Sequence, residues 1–584
     1  MRLLIANRGE IALRIIRTAR ELGIETVSVY ADDDASGPHV AAATESVPLG
    51  ASGASEYLDQ SALLKIAAET GATHVHPGYG FLSENAEFAQ ACTEAGIVFV
   101  GPDAQVLRTF GDKASARTAA VDSGVPVLPS TSANADLDEV REFFERNSRG
   151  IMIKALSGGG GRGMRAVRDP KALDDAYRVC AAEAQSGFGS SALFAEVLSE
   201  HARHIEVQIV AAPGQGGTHA LALGDRDCSV QRRHQKLIEV APAQGLSGAL
   251  RERLHAAAAR LCAEVGYRGI ATVEFLVEER GFVFLEVNPR IQVEHTVTEE
   301  VTGVDLVSVQ LAIADGVPFE DLDLPTGIIA VEKGSETVGS VANASGIAIQ
   351  TRVNMESMTP DGNALPSSGT LDNFSPPGGP GVRVDTFGMV GLSPSARYDS
   401  LLAKVVTHTR RSDFPAAVRK SIAALSEFAI DGVATNLEFL QAILSDKDFR
   451  DGLVDVDWLG SRLADLVPEV GPQTPSSNVD VAPDEDVVRA QMAGIVVELA
   501  AVGDGVHAGG QVAVLEAMKM QHVLSAPGDL EVVRVLSSPG RSVGAGEPLL
   551  VVRSASAGSK LAEVDEVDLD DVRPDLAEII ARHR

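Results

Sequence analysis

Cysteine and aromatic residues are scarce: the 584 residues include four cysteines and one tryptophan, and aromatics make up 4%. Cys92, Cys180, Cys228 and Cys262 show no Cys-x-x-Cys spacing, which argues against both a thiolate zinc site and a disulfide framework. Basic residues are the minority, 50 against 81 acidic ones, for a net charge of −31. That sign excludes sequence-independent nucleic-acid binding, which works by neutralising phosphates with a basic surface. No apolar run reaches the roughly 18 residues of a spanning helix. The opening Met1-Arg2-Leu3-Leu4-Ile5-Ala6-Asn7 has no signal-peptide core, so a cytoplasmic protein without membrane contact is expected. The first 113 residues also lack Gly-x-Gly-x-x-Gly, the dinucleotide fingerprint.

What is present is an ordinary globular composition, 45% hydrophobic and 22% charged, in a chain long enough for two to four domains. The first apolar run, Leu3-Leu4-Ile5-Ala6, is followed by Asn7-Arg8-Gly9-Glu10 and a helical pattern through Ile11, Leu13, Ile15, Ile16 and Ala19. Thr26–Tyr30 then reads as a strand, and the pattern recurs through Ser61–Thr70, His74–Pro77, Asn85–Ala95 and Ile97–Val100. Such βαβ units build a doubly wound parallel sheet. His76–Asn85 is a glycine-rich turn from strand to helix, open to two readings: a structural turn, or a ligand site at a strand's carboxyl end.

Further on, the β run Ile151-Met152-Ile153-Lys154 leads into Ser157-Gly158-Gly159-Gly160-Gly161-Arg162-Gly163. Glycines without Cβ let backbone N–H groups approach phosphate oxygens, and Lys154 and Arg162 add positive charge. No Gly-Lys-Ser/Thr closes this loop, so it is not a Walker A motif. Asp225–Lys236 gathers seven titratable side chains besides Cys228, equally compatible with a solvated charged loop and with a site. A third cluster is more specific. Ala271–Val277 and Val283–Val287 read as a hairpin; with a loop over residues 278–282, Glu274 falls opposite Glu286. Alternation then puts Glu286, Asn288, Arg290, Gln292 and Glu294 on one strand face. Opposed carboxylates are destabilising unless neutralised, and two of them with an amide oxygen suit a hard divalent cation such as Mg²⁺. Arg290 is suited to a planar anion and Glu294 to a general base.

The end of the chain has a different texture. Residues from Arg462 to Glu485 are polar and proline-rich, a tether of about 24 residues spanning roughly 25–30 Å as a coil. Short strand patterns then repeat: Gly503–Gly509 matches Gly540–Gly546, and Gly494 and Gly528 open matching strands. The duplication implies a pseudo-twofold β-sandwich. Glu516-Ala517-Met518-Lys519-Met520 falls midway, at an exposed hairpin, which makes Lys519 a candidate attachment site.

Asn7–Ala12, His76–Asn85, Lys154 with its glycine-rich loop, Gln231–Lys236 and Glu286–His295 together resemble the ATP-grasp biotin carboxylases, from residue 2 to about 447. The region around Lys519 resembles biotinyl carrier domains. The resemblance implies an α/β architecture. A doubly wound pre-ATP-grasp domain (1–113) precedes an α+β ATP-grasp domain (114–318, lid about 130–200) and a biotin carboxylase C-terminal domain (319–461). A linker (462–485), an all-β biotinyl/lipoyl-like sandwich (486–553) and a tail (554–584) follow. It further implies that ATP is held by Lys113, Lys154, Gly160, Gly161, Glu196, His204, Gln231 and His234. Two Mg²⁺ or Mn²⁺ ions fall to Glu274, Glu286 and Asn288. Bicarbonate goes to Lys236, Arg290, Gln292 and Val293, with Glu294 as base, carboxyphosphate as intermediate and Arg383 stabilising the biotin enolate.

Biotin is expected on Lys519, loaded by a biotin protein ligase, to supply carboxybiotin to an acyl-CoA carboxyltransferase (beta) subunit within a homo-oligomeric complex. Pyruvate or urea as acceptor is the alternative. The chain departs from the usual pattern at Ile328–Ala348, which is longer. It also departs at Arg352-Val353-Asn354-Met355-Glu356-Ser357, where Arg-Ile-Asn-Ala-Glu-Asp is typical, and at Ala490–Gly494, where prolines are usual. Gly362–Gly388 is similar to single-chain long-chain acyl-CoA carboxylases, and the tail is similar to the connector before their carboxyltransferase. That tail reads either as a solvated helix or as a docking element for the separate subunit.

Overall fold

The computed structural model describes residues 1–156, 163–232, 235–279, 281–325, 331–332, 344–358, 364–467, 481–482, 484–492, 494–517, 520–538, 541–544 and 546–554. Residues 1–471 form one compact unit and 472–584 a second. Three expected site positions, Gly160, Gly161 and His234, lie outside the described residues, as do Lys519 and the tail from 555 on.

In the first unit, β1 (Arg2–Ile5) buries Leu3, Leu4 and Ile5 completely. Helix α1 (Gly9–Glu21) lays Ile11, Ile15 and Ile16 over it. With β2 (Glu25–Tyr30), β3 (Glu45–Pro48), β4 (His74–His76) and β5 (Val98–Phe99) it forms a parallel sheet in the order β3-β2-β1-β4-β5. The winding reverses between β1 and β4, the place where open sheets bind ligands. There Asn7 Nδ2 donates to the carbonyls of Pro77 (2.7 Å) and Tyr79 (2.8 Å). Gly78 adopts φ +64°, and a Cβ on it would meet Asn7 Nδ2 at 2.8 Å, so no larger residue fits. The segment is a tied turn, and it carries Glu84 to Arg290.

A small antiparallel sheet follows, ordered β7-β6-β8, from β6 (Ile151–Ala155), β7 (Met164–Val167) and β8 (Leu193–Val197). It packs on helices Leu137–Glu145 and Leu173–Phe188 within the span expected for a lid.

The largest sheet has nine strands. Seven come first in the chain: β9 (Arg203–Gly214), β10 (Gly217–Arg232), β11 (Gln235–Ala241), β12 (Gly269–Glu278), β13 (Gly281–Asn288), β14 (Val331–Glu332) and β15 (Ile347–Asn354). Two more, β16 (Val382–Thr386) and β17 (Leu401–Thr409), complete it. The order is β13-β12-β9-β10-β11-β15-β17-β16, with β14 beside β10. The boundary expected at 318/319 thus falls inside one continuous sheet, joined where β11 pairs with β15 from Ile238↔Thr351 to Ala241↔Ala348.

One face of β9 presents Ile205, Val207 and Ile209 to the alanine-rich helix Gly248–Glu264. The other face is divided. His204, Glu206 and Gln208 are polar, whereas Val210 and Ala212 pack with α1 and the helix Leu306–Ala314.

Two expectations about the β12–β13 hairpin need correction. Its turn is tighter than the loop expected over 278–282, since Glu278 pairs with Gly281. That register alone would put Leu285 opposite Glu274. A bulge between Phe284 and Glu286 inserts one residue and restores the Glu274↔Glu286 pair. The strand also ends at Asn288, so Arg290, Gln292 and Glu294 are not on a strand face. They lie on the irregular segment leading into helix His295–Thr302. Pro289 gives the physical reason, because it cannot donate to a ladder.

The second unit is a sandwich of two four-stranded sheets. In chain order its strands are β18 (Glu485–Arg489), β19 (Gly494–Leu499), β20 (Gly505–Val506), β21 (Gln511–Ala517), β22 (Met520–Ser525), β23 (Leu530–Val535), β24 (Ser542–Val543) and β25 (Pro548–Ser554). The sheets run β18-β25-β23-β20 and β22-β21-β19-β24. Exchanging β19 with β23, β20 with β24, β21 with β25 and β22 with β18 turns one order into the other, the pseudo-twofold expected from the repeats. Ala517 pairs with Met520, so β21 and β22 form the hairpin that brackets Met518 and Lys519. The expected linker starts late: helix Trp458–Leu466 runs across Arg462.

Residues 484–554 expressed alone are expected to melt in one cooperative transition. A fragment ending at residue 322 lacks β15, bares the β11 edge and is expected to elute as an aggregate in size-exclusion chromatography. A monomeric, cooperatively melting 1–322 would contradict the continuity of the sheet.

Candidate active site

Glu286, Glu274, Glu206 and Arg226 stand in one row across β13, β12, β9 and β10, each in register with the next. Three carboxylates side by side repel, and their position is tolerable only with cations to match. Arg226, fully buried, ends the row. It bonds Glu206 and spends its other donors on Gln208 Oε1 (2.8 Å), Thr298 Oγ1 (2.8 Å), Thr272 Oγ1 (3.0 Å) and Gln292 Oε1 (2.8 Å).

Lys236, from β11, lies over the row. Its Nζ reaches Glu206 (2.6 Å), Glu274 (2.9 Å) and Glu294 (2.8 Å). Burial works against its charge, yet these three carboxylates hold its pKa well above that of free lysine. Glu294 also meets Arg352 Nη2 at 3.0 Å, and Arg352 in turn bonds Glu239. Burial would raise the Glu294 carboxyl; Lys236 and Arg352 overturn that and keep it well below the usual carboxylate range.

Glu274 is the most heavily solicited member. Its Oε1 accepts from Lys236, Asn288 Nδ2 (2.8 Å) and Gln292 Nε2 (2.9 Å), and its Oε2 meets His204 Nε2 at 2.6 Å. Burial disfavours a charged His204, but Glu274 prevails and its pKa is raised. Glu286, at the open end of the row, contrasts with the rest. Among the described residues no cationic side chain lies within 4 Å of it, and its carboxyl is pushed up by burial and by Glu274, offset in part by Lys113. Glu286, without a cation of its own beside a second carboxylate, offers the hard oxygen donors that fit a divalent cation.

The remaining predicted residues come together around this row. Arg290 bonds Glu84 and holds Asn288 Oδ1 at 3.0 Å. Lys113 opens helix Lys113–Asp122 and points its Nζ at the Ala155 carbonyl, 3.4 Å away. Lys154 pairs with Glu196 across β6 and β8, with Arg117 3.6 Å from the same carboxylate. Gln231 pairs in register with Lys236. Val293 turns its carbonyl to Lys404.

Arg383 is the exception. It bonds Asp385 through two nitrogens (3.0 and 2.8 Å) and Glu299 at 2.8 Å, and has no contact with Lys236 or Glu294. The arginine beside Glu294 is Arg352. The sequence departs from the usual motif right after that residue, and Arg352 was not singled out.

Glu206 and Glu239 lie outside every stretch the sequence marks, whereas Arg226 and Glu84 fall within marked stretches that assign them no role. For Glu206 a signal exists: His204, Glu206 and Gln208 alternate with Ile205, Val207 and Ile209, a polar face inside an otherwise apolar strand.

The chain matches four family models. These are "Biotin carboxylase, N-terminal domain" over residues 1–107, "Carbamoyl-phosphate synthase L chain, ATP binding domain" over 112–322, "Biotin carboxylase C-terminal domain" over 350–461, and "Biotin-requiring enzyme" over 486–552. It is 41% identical to the biotin carboxylase of Haemophilus influenzae over 469 residues, 79% of this chain and 98% of that one. The mitochondrial pyruvate carboxylase of Rattus norvegicus is 43% identical over 482 residues, which cover 82% of this chain and 39% of the relative. The chain therefore spans about two fifths of the pyruvate carboxylases it matches.

Among solved structures, a single-chain, multi-domain long-chain acyl-CoA carboxylase aligns with TM-score 0.72 and 53% identity, over 100% of this chain and 52% of that chain. The biotin carboxylase domain of Hydrogenobacter thermophilus 2-oxoglutarate carboxylase, in complex with MgADP, ADP and bicarbonate, aligns with TM-score 0.72 and 37% identity, covering 79% and 97%. With near-complete coverage of a stand-alone relative and a matching carrier module, the chain belongs to the biotin carboxylase family and carries a biotinyl domain.

Proposed function

We propose that the chain uses ATP to activate bicarbonate and carboxylates biotin held on Lys519, for delivery to an acyl-CoA carboxyltransferase. The observation that carries the first half is Lys236 bridging Glu206, Glu274 and Glu294, a buried ammonium shared by a proton acceptor and the metal-side carboxylate. The domain division given above, the homo-oligomeric assembly and the cytoplasmic location belong to the same reading; among the described residues no helix is long and apolar enough to cross a membrane.

In this reading Glu274, Glu286 and Asn288 hold Mg²⁺ or Mn²⁺, which when bound supplies charge neutralisation at the phosphates of ATP. Lys113, Lys154 and Glu196 line the nucleotide side, with Gly160, Gly161 and His234 from segments outside the described residues. His204, bonded to Glu274, and Gln231, paired with Lys236, border it. Lys236, Arg290, Gln292 and the Val293 N–H bind bicarbonate. Its negative charge competes with Glu294 for Lys236, and a Glu294 freed from that ammonium becomes the stronger base that takes the bicarbonate proton. Arg352, already on Glu294, takes the stabilising place expected of Arg383, which its three acidic neighbours keep elsewhere.

Support for acyl-CoA over pyruvate comes from coverage. The long-chain acyl-CoA carboxylase aligns along the whole chain at 53% identity, whereas the pyruvate carboxylase match stops at 82% of it.

Purified chain is expected to cleave ATP in a bicarbonate-dependent reaction stimulated by free biotin, and Lys236→Ala to abolish it; ATP cleavage indifferent to bicarbonate would refute the reading. Lys519→Ala should lose transfer to acyl-CoA while carboxylating free biotin at a near-normal rate, and equal loss of both would count against a mobile carrier. Glu286→Gln relieves the like-charge pair, so without added metal its unfolding free energy in urea should rise by up to about 1 kcal/mol. Added Mn²⁺ should then stabilise the parent chain and leave the variant unmoved.

A further inference from the structure

Two buried polar side chains grip the backbone just before Glu294 from its hidden side. Lys404, on β17, has no exposure, and its Nζ meets the Val293 carbonyl at 3.2 Å and Glu10 Oε2 at 2.9 Å, with Asp385 at 3.7 Å. Glu10 is further bonded by the Tyr79 hydroxyl, so the lysine is backed by an anchored carboxylate. His295, equally buried, contacts the Gln292 carbonyl through Nδ1 at 2.7 Å. A carbonyl only accepts, so Nδ1 carries the proton. Burial first, then Lys404, Arg14 and Arg383, hold His295 well below the ordinary histidine pKa, and the ring is neutral.

A trans peptide is planar and points its C=O and N–H in opposite directions. Fixing the Gln292 carbonyl therefore aims the Val293 N–H away from the buried side, and fixing the Val293 carbonyl does the same for the Glu294 N–H. Among the described residues neither N–H has an acceptor. Glu294 is 2% exposed, and buried N–H groups without partners are rare in folded proteins. Two successive N–H groups aimed the same way make a small anion cradle.

We infer that Lys404 and His295 are positioning residues for bicarbonate: by holding two consecutive carbonyls they present the Val293 and Glu294 N–H groups to the anion next to Lys236. The inference rests on the function proposed above and adds the device that shapes its anion site. Neither side chain touches the substrate. Their effect travels through two peptide planes, so it falls on bicarbonate and not on the nucleotide, which is bound from other elements.

The test is steady-state kinetics of bicarbonate-dependent ATP cleavage on the full chain carrying Lys404→Met, with the thermal midpoint as a check of folding. The KM for bicarbonate is expected to rise roughly tenfold or more, equivalent to about 1.4 kcal/mol, while the KM for ATP stays within twofold. Lys404→Arg keeps a donor and should recover most of the loss. An unchanged bicarbonate KM, or equal rises in both KM values, overturns the inference. If Lys404→Met does not fold, His295→Leu makes the same test at the Gln292 carbonyl, with the same expected and overturning results. An inactive parent chain would instead defeat the proposed function, so the two failures are told apart.

Discussion

Three glutamates abreast on adjacent strands set the terms for everything around them. Glu286, Glu274 and Glu206 cannot all stay ionised in a largely buried row without positive charge at hand, and the fold supplies it from two directions. Arg226 closes the row within the sheet, Lys236 lies over its middle, and Glu286 stands at the open end. The two protein cations differ in kind. Arg226 is an immobile fork with every donor satisfied, whereas Lys236 is a point charge shared among three acceptors, the arrangement from which one acceptor can be displaced by an incoming anion.

The same sheet face explains why a large scaffold surrounds a small site. β9 is polar through Gln208 and apolar from Val210 onward, so the floor of the site continues into the seat of the N-terminal domain. That domain returns Glu84 to Arg290 and Glu10 to Lys404. On the far side, β11 hands the sheet to β15, which brings Arg352 to Glu294. Each flanking segment thus contributes charge to a centre that none of them contains alone. Replacing any of these pairs by apolar groups need not destabilise the fold, since buried ion pairs often do little for stability.

Much of this was legible in the sequence because it follows local periodicity. The βαβ pattern of the first hundred residues, the β12–β13 pairing and the internal repeat of the carrier all depend on residues close in the chain. The opposition of Glu274 and Glu286 was foreseen through a loop that does not exist; a bulge supplies the missing residue, and no propensity of Leu285 announces it. Arg352 and Lys404 were illegible for another reason. Their partners lie 58 and 111 residues away, across strand pairings that alternation does not specify. Arg383 shows the converse, since a motif match locates the residue and says nothing of its neighbours. Its guanidinium is claimed by Asp385, two positions along the same strand, and by Glu299 from a helix.

The carrier's pseudo-twofold sets an asymmetry that its sequence repeat conceals. β21 and β22 pair as a hairpin, from Gln511↔Ser525 to Ala517↔Met520, and its counterpart is the pair β25 and β18. Those two strands are neighbours in space, yet they are the last and first of the sandwich, with Arg553 against Glu485. One copy of the hairpin is therefore closed and the other is cut, and the polypeptide enters and leaves through the cut. Only a closed turn can offer a side chain at its tip, so a doubled fold has one such turn and not two.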